Sequence, residues 1–229
     1  MTILLSFLCG IIPAVIWLMF WLREDEINPE PKKYILFSFL TGMLAALIVL
    51  GFQTIIIEHV ESYTFLCVIL LASAEEIFKF IAAYMMALKR EFMNEPIDAI
   101  IYMITIALGF AALENSLYIY DAINTNGVLQ GILVSNMRFI GSAILHTAAS
   151  GIIGVAIALS FYKKASQKLS YLIVGIISAI ILHTGFNLFI INNIGGGILG
   201  SFTFIWGTAI IILFLFEKIK QLKPENKQY

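Results

Sequence analysis

Glu75, Glu76 and Lys79 lie in a stretch, Tyr63 to Leu88, that is otherwise apolar enough to cross a bilayer. Glu114 beside Asn115, His146, and His183 with Asn187 lie in three further stretches of the same kind. Acids, lysines and histidines are costly in hydrocarbon, so their presence points to a site. At about 2.5–3.5 kcal/mol for a charge at a helix centre, Glu75, Glu76, Lys79 and Glu114 together cost on the order of 10 kcal/mol. That equals the whole stability of an ordinary domain. A structural ion pair would relieve part of it. Glu75 and Lys79 stand at i,i+4 with the acid N-terminal, the better order for a helical pair. Such a pair leaves Glu76 and Glu114 unaccounted for.

The residue types suggest hydrolysis. Two carboxylates in different surroundings can divide acid and base work. Glu75 or Glu76 is placed to deprotonate a water, with Lys79 holding and orienting the partner acid. His146 and His183 offer nitrogens to a metal ion or hydrogen bonds to an oxyanion. Asn187, one turn beyond His183 on the same face, serves that oxyanion or fixes the histidine. Glu114 and Asn115 complete a metal shell or position a substrate backbone. Consecutive residues project about 100° apart on a helix, so Glu75 and Glu76 are not expected to face one reacting atom. His146 alone reads as readily as a helix–helix hydrogen bond. Glu-Glu-x-x-Lys is the strongest single signal.

Other polar residues have simpler readings. Arg138 is expected to anchor a helix at the interface, and His59 is given no role. Asp98 opens a helix, where an acid suits the dipole. There is no His-Glu-x-x-His pair and no Gly-x-Ser-x-Gly elbow. Gly195-Gly196-Gly197 lacks a following Lys-Ser/Thr, so it is not a phosphate loop.

The elements that must position these groups are membrane helices. The chain has 229 residues, 60% hydrophobic and 13% charged, with mean hydropathy +0.94. A soluble domain carries about 25% charged residues, which excludes that class. With a net charge of -1 and no basic domain, nucleic acid is not an expected partner. Cys9 and Cys67 lie in apolar stretches and read as buried thiols. Seven apolar segments can be drawn, at about 2–22, 34–57, 63–88, 97–120, 138–162, 169–190 and 198–216. The first has no basic n-region and no cleavage site after it, so it reads as a retained helix and not a signal peptide. The expected fold is all-α, a polytopic transmembrane bundle of about seven helices. It forms one integral membrane domain over 1–229, with a short tail at 217–229.

Loop charges give an orientation. Arg23, Lys32 and Lys33 fall in the first loop, Lys89 and Arg90 in the third, and Lys163, Lys164 and Lys168 in the fifth. Lys218, Lys220, Lys223 and Lys227 fall in the tail, and the even loops carry no Lys or Arg apart from Arg138 at a helix edge. The positive-inside rule then puts the N-terminus outside and the C-terminus in the cytosol. At about 1.5 Å per residue, Glu76 lies about 20 Å from Tyr63 and Glu114 about 9 Å from the outer end of its helix. His146 lies about 12 Å from Arg138, and His183 about 10 Å from Ile190. Groups from four helices thus share one level, between the midplane and the outer third. One water-accessible site is the expectation.

The motifs together resemble a known family, the PrsW membrane proteases. Asp25-Glu26-Ile27-Asn28-Pro29-Glu30-Pro31 is similar to that family's acidic Pro-Glu-Pro loop, with Asn28 where the family often has Glu. Glu75-Glu76-x-x-Lys79 matches its Glu-Glu-x-x-Lys motif, and Gly109-Phe110-Ala111-Ala112-Leu113-Glu114-Asn115 its Gly-Phe…Glu-Asn segment. His146, and His183 with Asn187, match its two later histidine motifs. The resemblance implies an intramembrane endopeptidase related to the CAAX-processing and bacteriocin-processing enzymes. It further implies a site-1 cut in a membrane-bound anti-sigma factor, a single-span substrate, leading to sigma-factor release in a bacterial stress response. The place of action is then the bacterial cell membrane. Two mechanisms fit the residues: zinc held by His146 and His183 with Glu76, or a glutamate-activated water with His and Asn at the oxyanion. A transporter using the same buried acids is the competing class, but no inverted repeat is found and Pro13 is the only proline well inside a helix. An inert membrane scaffold fits poorly with Glu75, Glu76, His146 and His183 all present. A retinal receptor is disfavoured because 198–216 has no lysine.

Overall fold

The computed structural model describes residues 2–23, 28–192 and 198–222. Asp25, Glu26, Ile27, the Gly195–Gly197 run, Lys223 and Lys227 lie outside the described residues. Among the described residues the chain is helical: α1 Thr2–Leu22, α2 Lys32–His59, α3 Phe65–Ala83, α4 Pro96–Asn126, α5 Val128–Ile140, α6 Ser142–Leu159, α7 Ala165–Ile191 and α8 Ile198–Lys220. A π-helical turn, Tyr84–Leu88, prolongs α3. The polytopic helical bundle expected from the sequence is what the chain forms.

Six helical rods are long and apolar enough to cross a membrane, with α5 and α6 counted as one over Val128–Leu159. The nineteen-residue α3 is not among them. Its Glu75, Glu76 and Lys79 lower its hydropathy, and all three are buried inside the bundle. The groups that make α3 a poor membrane helix face protein instead of lipid.

The centre of the bundle is α4. It starts with Pro96, where a missing N–H costs nothing, and is buried without interruption from Pro96 to Leu113. Close approach to α2 depends on two glycines. A Cβ on Gly42 would stand 2.1 Å from the Ile106 carbonyl oxygen, and one on Gly109 2.0 Å from that of Phe39. Small residues let helix backbones meet where lipid offers no hydrophobic drive between helices. The Gly109-Phe110 part of the sequence motif is therefore packing, and its Glu114-Asn115 part reaches the polar cluster. Outward faces are apolar, with Leu4 and Leu8 on α1, Leu44 and Leu47 on α2, and Val174 and Ile181 on α7 all exposed. Both cysteines are free, Cys67 buried and Cys9 only half-buried.

The fifth expected segment is corrected. Instead of one helix from Arg138 to Tyr162, there is a break at Gly141 between α5 and α6. The α5 helix begins directly after Gly127, whose φ of 87° favours glycine. This puts Arg138 in the last turn of α5, beside the polar cluster.

Candidate active site

Six ionisable side chains from α3, α4, α5, α6 and α7 meet with Lys79 inside the bundle. Lys79 has no exposed surface and neither has Glu76. The Lys79 ammonium donates to Glu76 Oε1 at 2.5 Å and to His146 Nδ1 at 2.9 Å. The ion pair is thus i,i+3 with Glu76, not the i,i+4 pair with Glu75 that helical spacing favours. The reason is the environment across α3. Glu76 and Lys79 point together at His146 and His183, and Ser150 of α6 also donates to Glu76 Oε2 at 3.3 Å. Glu75 turns instead to α2, where Gln53 Nε2 donates to its Oε1 at 2.9 Å.

Proton positions follow from donor chemistry. An ammonium can only donate, so His146 Nδ1 accepts from Lys79. His146 Nε2 then carries the proton and donates to Glu114 Oε2 at 3.0 Å. Lys79 also donates to Glu76 Oε1, which leaves that oxygen an acceptor for His183 Nδ1–H at 2.7 Å. Each imidazole therefore has one nitrogen held by a carboxylate. The other nitrogens face Glu75 Oε2, at 3.9 Å for His146 Nδ1 and 3.7 Å for His183 Nε2. Glu75 Oε2 is buried and has no hydrogen-bond partner among the described residues. The two rings stand edge to face, 5.4 Å apart.

Beside this oxygen lies a cavity of about 710 Å³. Glu75, Glu114, His146, His183 and Asn187 line it, while Glu76 and Lys79 do not. Its walls come from the end of α2, the start of α3, the ends of α4, α5 and α7, and the starts of α6 and α8. These are the helix ends next to the even-numbered loops. The polar groups expected to share one level meet in space beside this cavity. Asn187 stands on the wall as its spacing from His183 suggests. Asn115 is buried and faces Arg138 and Ser142.

Two expectations need revision. The three atoms suited to one metal ion come from Glu75, His146 and His183, which lie within 4.8 Å of one another. Glu76, expected beside the histidines as a metal ligand, is instead committed to Lys79, His183 and Ser150. Glu75 lines the cavity and Glu76 does not, while His183 lies between them, its Nε2 3.7 Å from Glu75 Oε2 and its Nδ1 2.7 Å from Glu76 Oε1. Arg138, read as an interfacial anchor, donates to Glu114 and Asn115 at 2.5 Å each. Gln53, Ser142 and Ser150 were not singled out from the sequence. Gln53, an amide in an apolar run, carries the same burial signal as the acids. The two serines look like ordinary small helix residues until the contacts are known. His59 ends α2 exposed, its ring nitrogen against the Ile55 carbonyl.

The first loop is remote from this cluster. Tyr102 donates its phenol to Glu30, and Asn28 donates to Glu95 at 2.6 Å. Both fix the loop to the opposite end of α4 from Glu114.

Known proteins place the cluster in a wider setting. A family model described as PrsW family intramembrane metalloprotease matches residues 30–218. Protease PrsW of Geobacillus kaustophilus is 27% identical over 224 residues, covering 93% of this chain and 90% of its own length. Protease PrsW of Clostridioides difficile is 27% identical over 188 residues, 79% of this chain and 77% of its own. The Bacillus subtilis protein of the same name is 23% identical over 202 residues, 86% and 88% of the two chains. No solved structure matches. The matched span takes in every residue of the polar cluster, from Gln53 to Asn187. The transporter and scaffold readings give way to that match: the chain belongs to the PrsW family and is a multi-pass intramembrane protease of a bacterial membrane.

Proposed function

We propose that the protein makes the site-1 cut in a membrane-bound, single-span anti-sigma factor, and that Glu75 activates the water that makes it. The substrate class rests on resemblance to the family, whose cut begins sigma-factor release in a stress response. The role of Glu75 rests on one observation: its Oε2 is buried without a hydrogen-bond partner among the described residues, beside the cavity and between two histidines. Glu76, fully committed inside the bundle, orients His183 and Lys79. In the cut, Glu75 takes a proton from water as the water oxygen attacks the scissile carbonyl carbon. Asn187, on the cavity wall, is placed to donate to the oxyanion. The tetrahedral centre collapses, the carbon–nitrogen bond breaks, and the proton on Glu75 passes to the departing amine.

The donor set fits a metal ion. Glu75, His146 and His183 each offer a ligand atom within 4.8 Å of the others, Glu114 and Glu76 hold the far nitrogens, and a metal would take the His146 Nδ1 lone pair that the Lys79 ammonium now holds. Carboxylates behind histidines are how proteins orient such ligands. Zinc there, with an open coordination position, would supply a more acidic water and a polarised carbonyl.

The basic residues Lys89, Arg90, Lys163, Lys164 and Lys218 gather in the odd loops and tail, and the cavity is built from the other helix ends. By the positive-inside rule the cavity opens outward, which suits a first cut near the outer face. Cleavage of a single-span membrane protein by the enzyme in liposomes tests the whole reading. Glu75→Gln, Glu76→Gln, His146→Ala and His183→Ala should each abolish cutting. Normal cutting by all four would remove the site. Activity lost to a chelator and restored by zinc would establish the metal route, and unchanged activity with chelator the metal-free one.

A further inference from the structure

Arg138 lies outside the motifs that mark the site in the sequence, yet its side chain ends in the cluster. The guanidinium Nε donates to Asn115 Oδ1 at 2.5 Å, and Nη2 to Glu114 Oε2 at 2.5 Å and Ser142 Oγ at 3.1 Å. It also stacks 3.9 Å from the centre of the Tyr118 ring. Four partners on α4 and α6 thus fix one planar group, which is the geometry an arginine fork fits and a lysine does not. Glu114 Oε2 is the same oxygen that accepts His146 Nε2–H. One contact leads to the next: Arg138 to Glu114, Glu114 to His146, and His146 Nδ1 to the space shared with Lys79 and Glu75.

We propose that Arg138 is a positioning residue of the protease: its fork holds Glu114 against His146 Nε2 and so keeps His146 Nδ1 turned toward Glu75. The inference rests on the reading of Glu75 as the water-activating group. A purely structural role is the competing account, in which Arg138 pins α5 to α4 as an ion pair. The two differ in what lysine can replace. Lysine keeps the charge and the link between helices, but it cannot hold Glu114 and Asn115 together in one plane.

The test uses the full chain in lipid, with Arg138→Gln and Arg138→Lys. Steady-state cleavage is read beside ring ¹H–¹⁵N spectra of labelled histidine. Only three histidines are present, and the His183 Nδ1–H bond to Glu76 serves as an internal reference. Arg138→Gln should lose the hydrogen-bonded Nε2–H resonance of His146 and keep that of His183. Its kcat should fall about 10–100-fold, as for partners behind a histidine ligand. Its KM should stay within about threefold, since the loss lies in the reacting geometry and not in substrate binding. Arg138→Lys should recover the thermal midpoint without recovering kcat. Full recovery of kcat by Arg138→Lys, or an unchanged His146 resonance in Arg138→Gln, would overturn the proposal. If Arg138→Gln does not fold, Arg138→Lys decides: loss of the hydrogen-bonded His146 Nε2–H resonance in that variant supports the proposal, and a wild-type resonance overturns it. The spectra need no turnover, so they separate this outcome from failure of the Glu75 reading, which shows as normal cutting by Glu75→Gln.

Discussion

The two ends of α4 both hold buried acids, and they use them differently. At the Pro96 end, Asp98 is almost wholly buried, yet its Oδ2 accepts from the backbone amides of Asn94 and Glu95, both at 2.8 Å. Glu30 accepts from the Tyr102 phenol, and Tyr34 stacks on Phe92 at 4.0 Å. Acids there are answered by backbone, amide and phenol groups, and serve to start a helix and fix a loop. At the Glu114 end the partners are imidazoles, an ammonium and a guanidinium, and one carboxylate oxygen is left over beside a cavity. The cost of burying an acid is therefore a poor guide to function by itself. Partner type and an unanswered atom beside open space separate the site from the scaffold.

The largest effect expected from breaking this contrast is at Glu75. Glu75→Gln keeps the shape and the Gln53 contact surface but removes the base. A loss of about 10²–10⁴-fold in kcat is expected, the usual contribution of a general base. The thermal midpoint in detergent should hold or rise, because a buried, half-answered carboxylate is the kind of group that trades stability for activity. A stable variant that cuts at the wild-type rate would move Glu75 to the scaffold side of the comparison.

Gln53 sharpens the same contrast at one remove. It donates to Glu75 Oε1 and leaves Oε2 to the cavity. Gln53→Leu removes that donor and lets Glu75 turn. The expected loss is about 10–100-fold in kcat with KM little changed, the scale for a group that orients another. Single-turnover cleavage at saturating substrate is the measurement. A rise in KM alone would instead make Gln53 a substrate contact.

These residues also separate what residue type alone carries from what only packing decides. Glu75, Glu76, Lys79, Glu114, His146 and His183 were found because each is costly in an apolar run, and cost depends on residue type alone. Their common level followed from helix rise and alternating loops. Pairing did not follow, because it depends on rotation about each helix and on neighbours from other helices. So spacing pairs Lys79 with Glu75, whereas Lys79 binds Glu76. Arg138 was misplaced for a related reason. The stretch 138–162 reads as one apolar helix that starts at Arg138, and nothing but Gly141 marks the break that turns its side chain inward. The bundle itself was legible, since hydrophobic length and loop charge state it directly. The exception is α3, where the site's own residues weaken the signal.

The smallest effect, and the sharpest check on the scaffold end, is at Asp98. Asp98→Ala leaves the amides of Asn94 and Glu95 without their shared acceptor at the start of α4. Loss of such a cap costs about 0.5–2 kcal/mol. The site lies at the far end of the same helix: Asp98 and Glu114 are separated by sixteen residues, about 24 Å at 1.5 Å per residue. A rigid, fully packed α4 should confine the damage, so the midpoint falls while kcat per folded molecule stays at the wild-type value. Thermal melts and cleavage rates on the same liposome preparation give both numbers. If kcat falls in step with stability, the two ends of α4 are mechanically joined, and the acids at the Pro96 end support catalysis after all.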